Sequence, residues 1–222
     1  MRDSSRPGRK IAGKRVFRRY FPLFIILWIL VVLYPNPLNI IISIQRAAHL
    51  RVDPGAVEVM LDDLPSDPVA VEKAVLARIP YGYDWEVYGM PWYFPTVQEV
   101  LEQERGDCKG RALVLASVLE AKGIPYRVNM SPMHIWVEYE SKVETPIENP
   151  DVTFYQRDPQ TGETQFQVPR IKLIEVMDAA WQGFWPVMPI DRRILLVSGL
   201  LALIAARVIL FRARKQEQAA VC

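Results

Sequence analysis

Apolar residues run almost unbroken near both ends of the chain, and between those runs they recur first at helical and then at alternating spacing. Phe21–Tyr34 (FPLFIILWILVVLY) contains no charge, and beyond Pro35-Asn36-Pro37 the apolar run resumes over Leu38–Ile44. Fourteen helical residues rise about 21 Å against a hydrocarbon core of about 30 Å, so crossing requires the second run or the snorkelling of Arg18 and Arg19. No small-residue cleavage pattern follows Tyr34, so 21–44 reads as an uncleaved signal anchor rather than a secretory leader. The second apolar segment, 194–211, is interrupted only by Arg207, one turn from its end, and Arg212, Arg214 and Lys215 follow it. That pattern predicts a transmembrane helix with a basic exit flank.

The intervening stretch, 45–190, is long enough for one hydrophobic core. Ser66-Asp67-Pro68 is a helix start, a capping side chain followed by proline at the first helical position, and Val71, Ala74, Val75 and Ile79 then keep helical spacing up to Pro80. Thr96-Val97-Gln98-Glu99 is a capping box. A further helix is predicted from Cys108 to Ala121, stopped by Gly123 with Pro125 two residues on. The period then changes to two. Tyr126–Met130 and His134–Glu140 read as strands, and Val152–Arg157 with Thr164–Val168 as a hairpin around Asp158–Gly162. A last helix begins near Pro169 and carries Ile171, Ile174, Ala180, Trp181 and Phe184 on one side. Its end, Trp181, Phe184 and Trp185, precedes the second span at the depth of an aromatic belt. Helices followed by an antiparallel sheet predict an α+β domain.

Charge gives the arrangement a direction. Residues 1–44 carry 8 basic and 1 acidic side chains and residues 192–222 carry 6 and 1, while 45–191 is net −10. The positive-inside rule therefore predicts a cytoplasmic N-terminus (1–20), an extracytoplasmic domain (45–190) and a cytoplasmic tail (212–222). An acidic folded part excludes a nucleic-acid-binding core, and two cysteines exclude a disulfide scaffold or a cysteine-rich zinc site.

Candidate chemistry gathers at Gly106-Asp107-Cys108-Lys109-Gly110-Arg111. On the predicted topology Cys108 is the only cysteine outside the membrane, so it has no partner for a disulfide. Asp107 can cap the helix and place Cys108 in the first turn, where free N–H groups and the dipole stabilise a thiolate. Ala112, Leu115, Ala116 and Leu119 share its helical face, so the thiol points with the residues that pack inward; a small buried hydrophobe is the alternative role for it. A thiol nucleophile needs a base. Of the two histidines, His49 abuts the first apolar run and reads as an interfacial or surface residue, whereas His134 opens a strand after the Cys108 helix and one earlier strand. A third group should orient the imidazole, and Asn149 stands fifteen residues later with Glu148 and Asp151 beside it as alternatives.

Gly-Asp-Cys at a helix start, Gly-Ile-Pro-Tyr-Arg (123–127), His-x-Trp-Val-Glu (134–138) and Asn-Pro (149–150) together resemble the transglutaminase-like superfamily of papain-type cysteine enzymes. Ile79–Asp84 and Thr96–Leu101 are similar to its N-terminal part, so the resemblance spans roughly 67–155. It implies Cys108 as nucleophile, His134 as base and Asn149 at the third position, where the family usually has aspartate. It also implies an oxyanion hole made by the Cys108 N–H with an aromatic or amide side chain, for which Trp92 and Gln103 are the candidates. The shared chemistry is attack on an amide carbonyl to give a thioester, without cofactor or metal. Water then makes a peptidase or amidase acting on polypeptide, the expected outcome, while a lysine amine makes a cross-linker. The remaining alternative is a catalytically silent binding module of a membrane complex with an unknown partner. The expected location is a bacterial inner or plasma membrane.

Overall fold

The computed structural model describes residues 19–132, 134–143, 145, 148, 153–158, 161–168 and 173–219. In chain order its helices begin with α1 (Phe21–Leu33), α2 (Leu38–Ala48), α3 (Glu58–Leu61, after a 3-10 turn over Gly55–Val57) and α4 (Pro68–Arg78). There follow α5 (Asp84–Val87), α6 (Val97–Gln103), α7 (Cys108–Ala121), the strands β1 (Tyr126–Met130), β2 (Ile135–Tyr139), β3 (Tyr155–Arg157) and β4 (Thr164–Phe166), then α8 (Leu173–Phe184) and α9 (Ile190–Ala219). Two compact units result, residues 1–37 with 189–222, and residues 38–188.

In the first unit α1 and α9 pack antiparallel. Arg192, near the start of α9, donates to the carbonyl of Val32 at the end of α1 at 3.0 Å, while Arg207 lies over the ring of Phe21 at the other end, 4.4 Å from its centroid. Gly199 lies against the Trp28 indole, where a Cβ would collide. One described helix is long and apolar enough to cross a membrane by itself, Ile190–Ala213, whose 24 residues rise about 36 Å. The predicted 21–44 segment is not a continuous helix. Pro35 and Pro37 separate α1 from α2, and α2 belongs to the second unit.

The second unit is α+β. Its antiparallel sheet has the order β2-β1-β3-β4, with Val128 opposite Val137, Asn129 opposite Gln156, and Tyr155 opposite Phe166. The β3–β4 hairpin turns where Asp158–Gly162 predicts it, and Gly162 takes φ +72°, a conformation that a Cβ disfavours. Local signals at the helix starts are realised as bonds. Asp67 accepts from the Ala70 N–H at 2.8 Å, and Thr96 and Glu99 exchange both capping-box bonds. Gly123 ends α7 at φ +67°.

The expectation of one inward face for α7 is corrected. From Lys109 to Leu119 every residue except the half-buried Arg111 is buried, because α4, α6, the 55–57 turn and the sheet enclose the helix on nearly all sides. A helix apolar all round is a central helix. Val57, Val71, Val75, Val97, Val100, Val114, Val118 and Leu119 form the fully buried centre around it. Leu119→Ala should therefore destabilise the protein by about 2–5 kcal/mol, whereas Val59→Ala, at an exposed site, should change it by less than about 0.5 kcal/mol. Denaturant unfolding of the detergent-solubilised protein, followed by near-ultraviolet circular dichroism, measures both.

Candidate active site

Asp107 starts α7. Its Oδ1 accepts from the backbone N–H groups of Lys109 at 2.9 Å and Gly110 at 3.3 Å, so Cys108 occupies the first turn as the sequence predicts. Two backbone bonds then pin the segment before α5 to the front of α7: Gly106 N–H donates to Pro80 O at 3.2 Å, and Gly82 N–H to Gly106 O at 3.1 Å. A Cβ on Gly110 would come within 3.0 Å of Val100 Cγ2, so glycine here lets α6 lie tight against α7.

On the other side of the thiol stands β2. The Ile135 N–H is directed to the Cys108 sulfur, and His134, one residue earlier, lines the same cleft. A tight turn sets the histidine at the strand's mouth: Ser131 N–H donates to His134 O at 2.8 Å, and His134 N–H to Ser131 Oγ at 3.0 Å. The imidazole stacks on Trp136, with ring centroids 5.8 Å apart. Its Nε2 lies 3.8 Å from Glu148 Oε1, within ion-pair range but longer than a hydrogen bond. Glu148 Oε1 also accepts from Lys142 Nζ at 3.0 Å, and the Lys142 ammonium reaches Glu72 at 3.1 Å and Val137 O at 2.8 Å. Asn149 and Asp151 lie outside the described residues, so of the three candidates for orienting His134 the structure describes Glu148, facing the ring.

A charge cluster lies beneath the thiol. Lys109 is buried with its ammonium on Asp107 Oδ2 and on Asp84 Oδ2, the latter at 2.9 Å, and Asp84 Oδ2 also accepts the Tyr93 N–H at 2.9 Å. One ammonium serves two carboxylates, so the trio is net negative when all are ionised. Burial pushes Asp84 up to about 6 against the opposing pull of Lys109, and its Oδ1 is buried without a hydrogen-bond partner among the described residues.

These surroundings correct the expected thiolate. Burial pushes the Cys108 thiol up to about 11, and the Asp107 carboxylate adds to the effect, while Lys109 and the Ile135 N–H oppose it. Burial holds His134 below its ordinary value despite Glu148, with Lys142 acting in the same sense as burial. The pair therefore rests as thiol and neutral imidazole.

The cleft has a volume of about 830 Å³ and is lined mainly by aromatic and apolar side chains, including Tyr81, Tyr83, Trp92, Phe94, Tyr155 and Phe166, with Cys108, His134 and the Lys109 cluster among them. Trp92 lines it. Gln103, the other oxyanion candidate, is exposed at the end of α6 and does not line it, because α6 turns its buried face, Val97 and Val100, to the core. His49 is exposed and outside the lining. Sequence reasoning missed Tyr81, Tyr83, Asp84 and Lys109 as site residues. Lysine in the first turn of a helix that is apolar over most of its length was the available signal, since a buried ammonium requires buried carboxylates. Among the described residues no group of three or more His, Cys, Asp or Glu side chains converges to hold a metal ion. Comparison of the chain with protein-family models, with curated proteins and with solved structures returns no match.

Iodoacetamide alkylation of Cys108 should be slow at pH 7 and climb towards pH 11, in contrast to glutathione titrated alongside, as followed by mass spectrometry of the Cys108 peptide. A profile that is already flat and fast at pH 7 would contradict the resting thiol.

Proposed function

We propose that the chain is a membrane-anchored, thiol-dependent acyl-transfer enzyme of the transglutaminase-like, papain-type class, hydrolysing polypeptide amides. The observation that carries this reading is that Cys108 and His134 line one aromatic-walled cleft, with the Glu148 carboxylate 3.8 Å from the imidazole Nε2. With thiol and imidazole both neutral at rest, His134 acts as a general base when substrate arrives. It takes the Cys108 proton as sulfur bonds to the amide carbonyl carbon. The nitrogen for this is Nδ1, since Nε2 faces Glu148. The imidazolium so formed is stabilised by Glu148, a full charge that asparagine at 149 does not supply. It then protonates the leaving amine as the C–N bond breaks, and a thioester remains on Cys108. Water, giving its proton to His134, attacks the thioester carbonyl, releases the acid and restores the thiol. The Cys108 N–H at the start of α7 and the Trp92 indole N–H are the proposed donors to the oxyanion.

Membrane attachment rests on α9, with α1 as the second proposed span. Thirteen residues of α1 rise about 20 Å, short for a bilayer, but α1 packs antiparallel along α9, and a helix paired with a spanning helix lies at the same depth. The charge asymmetry supports an orientation with both termini in the cytoplasm and the 45–190 domain outside.

Two measurements test this reading. Full-length protein in detergent should cleave members of a fluorogenic peptide-amide library and form a hydroxylamine-sensitive acyl adduct on Cys108. Cys108→Ala should abolish both, and His134→Ala should lower kcat by about 10²–10⁴. Failure of Cys108 to react with any acyl probe leaves the silent binding module, and transfer of the acyl group to an added amine in preference to water makes it a cross-linker. In sealed, inner-membrane-bounded vesicles and whole cells, protease should cut within residues 50–185 only from the extracytoplasmic side. Cleavage solely from the cytoplasmic side would reverse the topology.

A further inference from the structure

The amphipathicity of α2 is inverted. Apart from the exposed Gln45, its polar residues face the domain: Ser43 Oγ accepts the Phe94 N–H at 3.1 Å, and Asn39 donates to the Met90 sulfur at 3.6 Å. The Arg46 guanidinium binds Glu99 at 2.8 and 3.2 Å, Phe94 O at 3.0 Å and the Tyr93 hydroxyl at 2.9 Å. Its apolar residues face outward, with Ile41 and Ile44 each 56% exposed and Leu38 beside them. A helix on a water-facing surface has the opposite arrangement. On α8 the exposed residues Ile174, Met177 and Trp181, at 83%, 70% and 58%, stand at i, i+3 and i+7 and so form one stripe. Both helices border the cleft, which Ala47 and Ala48 of α2 and Gln182 and Gly183 of α8 help to line. Chain connectivity says what covers them. The end of α8 lies six residues from the start of α9, so at most about 20 Å of extended chain separates it from the helix that is long enough to cross a bilayer.

We infer that α2 and α8 lie in the plane of the membrane surface with these apolar stripes immersed, so that the cleft opens at the bilayer and takes polypeptide held at the membrane, such as the juxtamembrane stretch of an inserted or lipid-anchored chain. The substrate part rests on the catalytic reading above. The position of the helices does not. Because the only cation in the docked face of α2, Arg46, is engaged by Glu99, and the domain is net acidic, immersion depends on apolar area rather than on anionic lipid. Zwitterionic phosphatidylcholine therefore suffices, and the acidity of residues 45–191 does not turn the cleft away from the membrane.

The test uses the full chain in phosphatidylcholine nanodiscs. In a background of Cys108→Ala and Cys222→Ala, Ile41→Cys, Ile44→Cys, Met177→Cys and, as control, Val59→Cys are each labelled with an environment-sensitive fluorophore. Labels at 41, 44 and 177 should be quenched by doxyl lipids and protected from aqueous iodide, and the label at 59 should show the reverse. Quenching of 41, 44 and 177 by iodide overturns the inference, and so does protection from both quenchers, which would mean that protein covers these faces. For the substrate, the best library peptide is compared free in solution and carrying a palmitoyl chain in phosphatidylcholine vesicles. The tethered form should be cleaved at least about tenfold faster at equal total concentration. Ile41→Asp combined with Met177→Asp should remove that advantage while leaving cleavage of the free peptide unchanged. Equal cleavage of both forms overturns the substrate assignment, and cleavage of neither removes the catalytic reading with it, while the quenching pattern still decides where the helices lie.

Discussion

Lys109 enters the interior one residue after the candidate nucleophile, and its ammonium is held there by Asp84 and Asp107. Removing one member of such a buried set leaves an uncompensated charge at a cost of about 3–5 kcal/mol, so α5 and the start of α7, which carry the set, are locked together. Asp107 caps α7, Asp84 opens α5 and binds the backbone ahead of α6 through Tyr93, and Lys109 spans them. The front wall of the cleft, with Tyr81, Tyr83 and Trp92, therefore stands where this charge cluster puts it. The same cluster bears on the chemistry: burial first, and the Asp107 carboxylate after it, disfavour the Cys108 thiolate against the pull of Lys109.

The back wall depends on a different network. His134 stands at the mouth of β2, and behind it Glu148, Lys142, Glu72 and Tyr139 join the strand to α4 through hydrogen bonds and ion pairs. The thiol and the imidazole thus reach the cleft from two separately braced walls. Both walls are anchored on α7, which is enclosed along nearly its whole length and cannot shift without opening the core.

At the rim of the cleft the usual logic of a soluble domain is reversed. Arg46, Ser43 and Asn39 spend their hydrogen-bonding capacity on the domain, leaving the isoleucines of α2 outward. Polar groups docked in the half-dry interface are satisfied, so the arrangement is stable wherever the outward face meets hydrocarbon rather than water. The acidity of the domain and the apolarity of its rim are compatible because they occupy different parts of the surface.

What the sequence determined by itself is local. Helix starts at Asp67, Thr96 and Asp107, the stop at Gly123, the Asp158–Gly162 turn and the long apolar helix near the C-terminus are each decided by neighbours within a few residues, and each is found in the structure. The position of Cys108 in the first turn of its helix was legible for the same reason. Tertiary structure decided what depends on residues far apart in the chain. Asp84 and Lys109 are 25 positions apart, and only packing shows that they share one buried site beside the thiol, on which they act in opposite senses. Likewise Gln103 leaves the cleft because α6 turns its apolar face to the core, and Leu38–Ala48, already broken from the first apolar run at Pro35 and Pro37, docks on the domain where Arg46 finds Glu99 across 53 residues. Periodicity records which residues are apolar, but what each face meets is settled by contacts between distant segments.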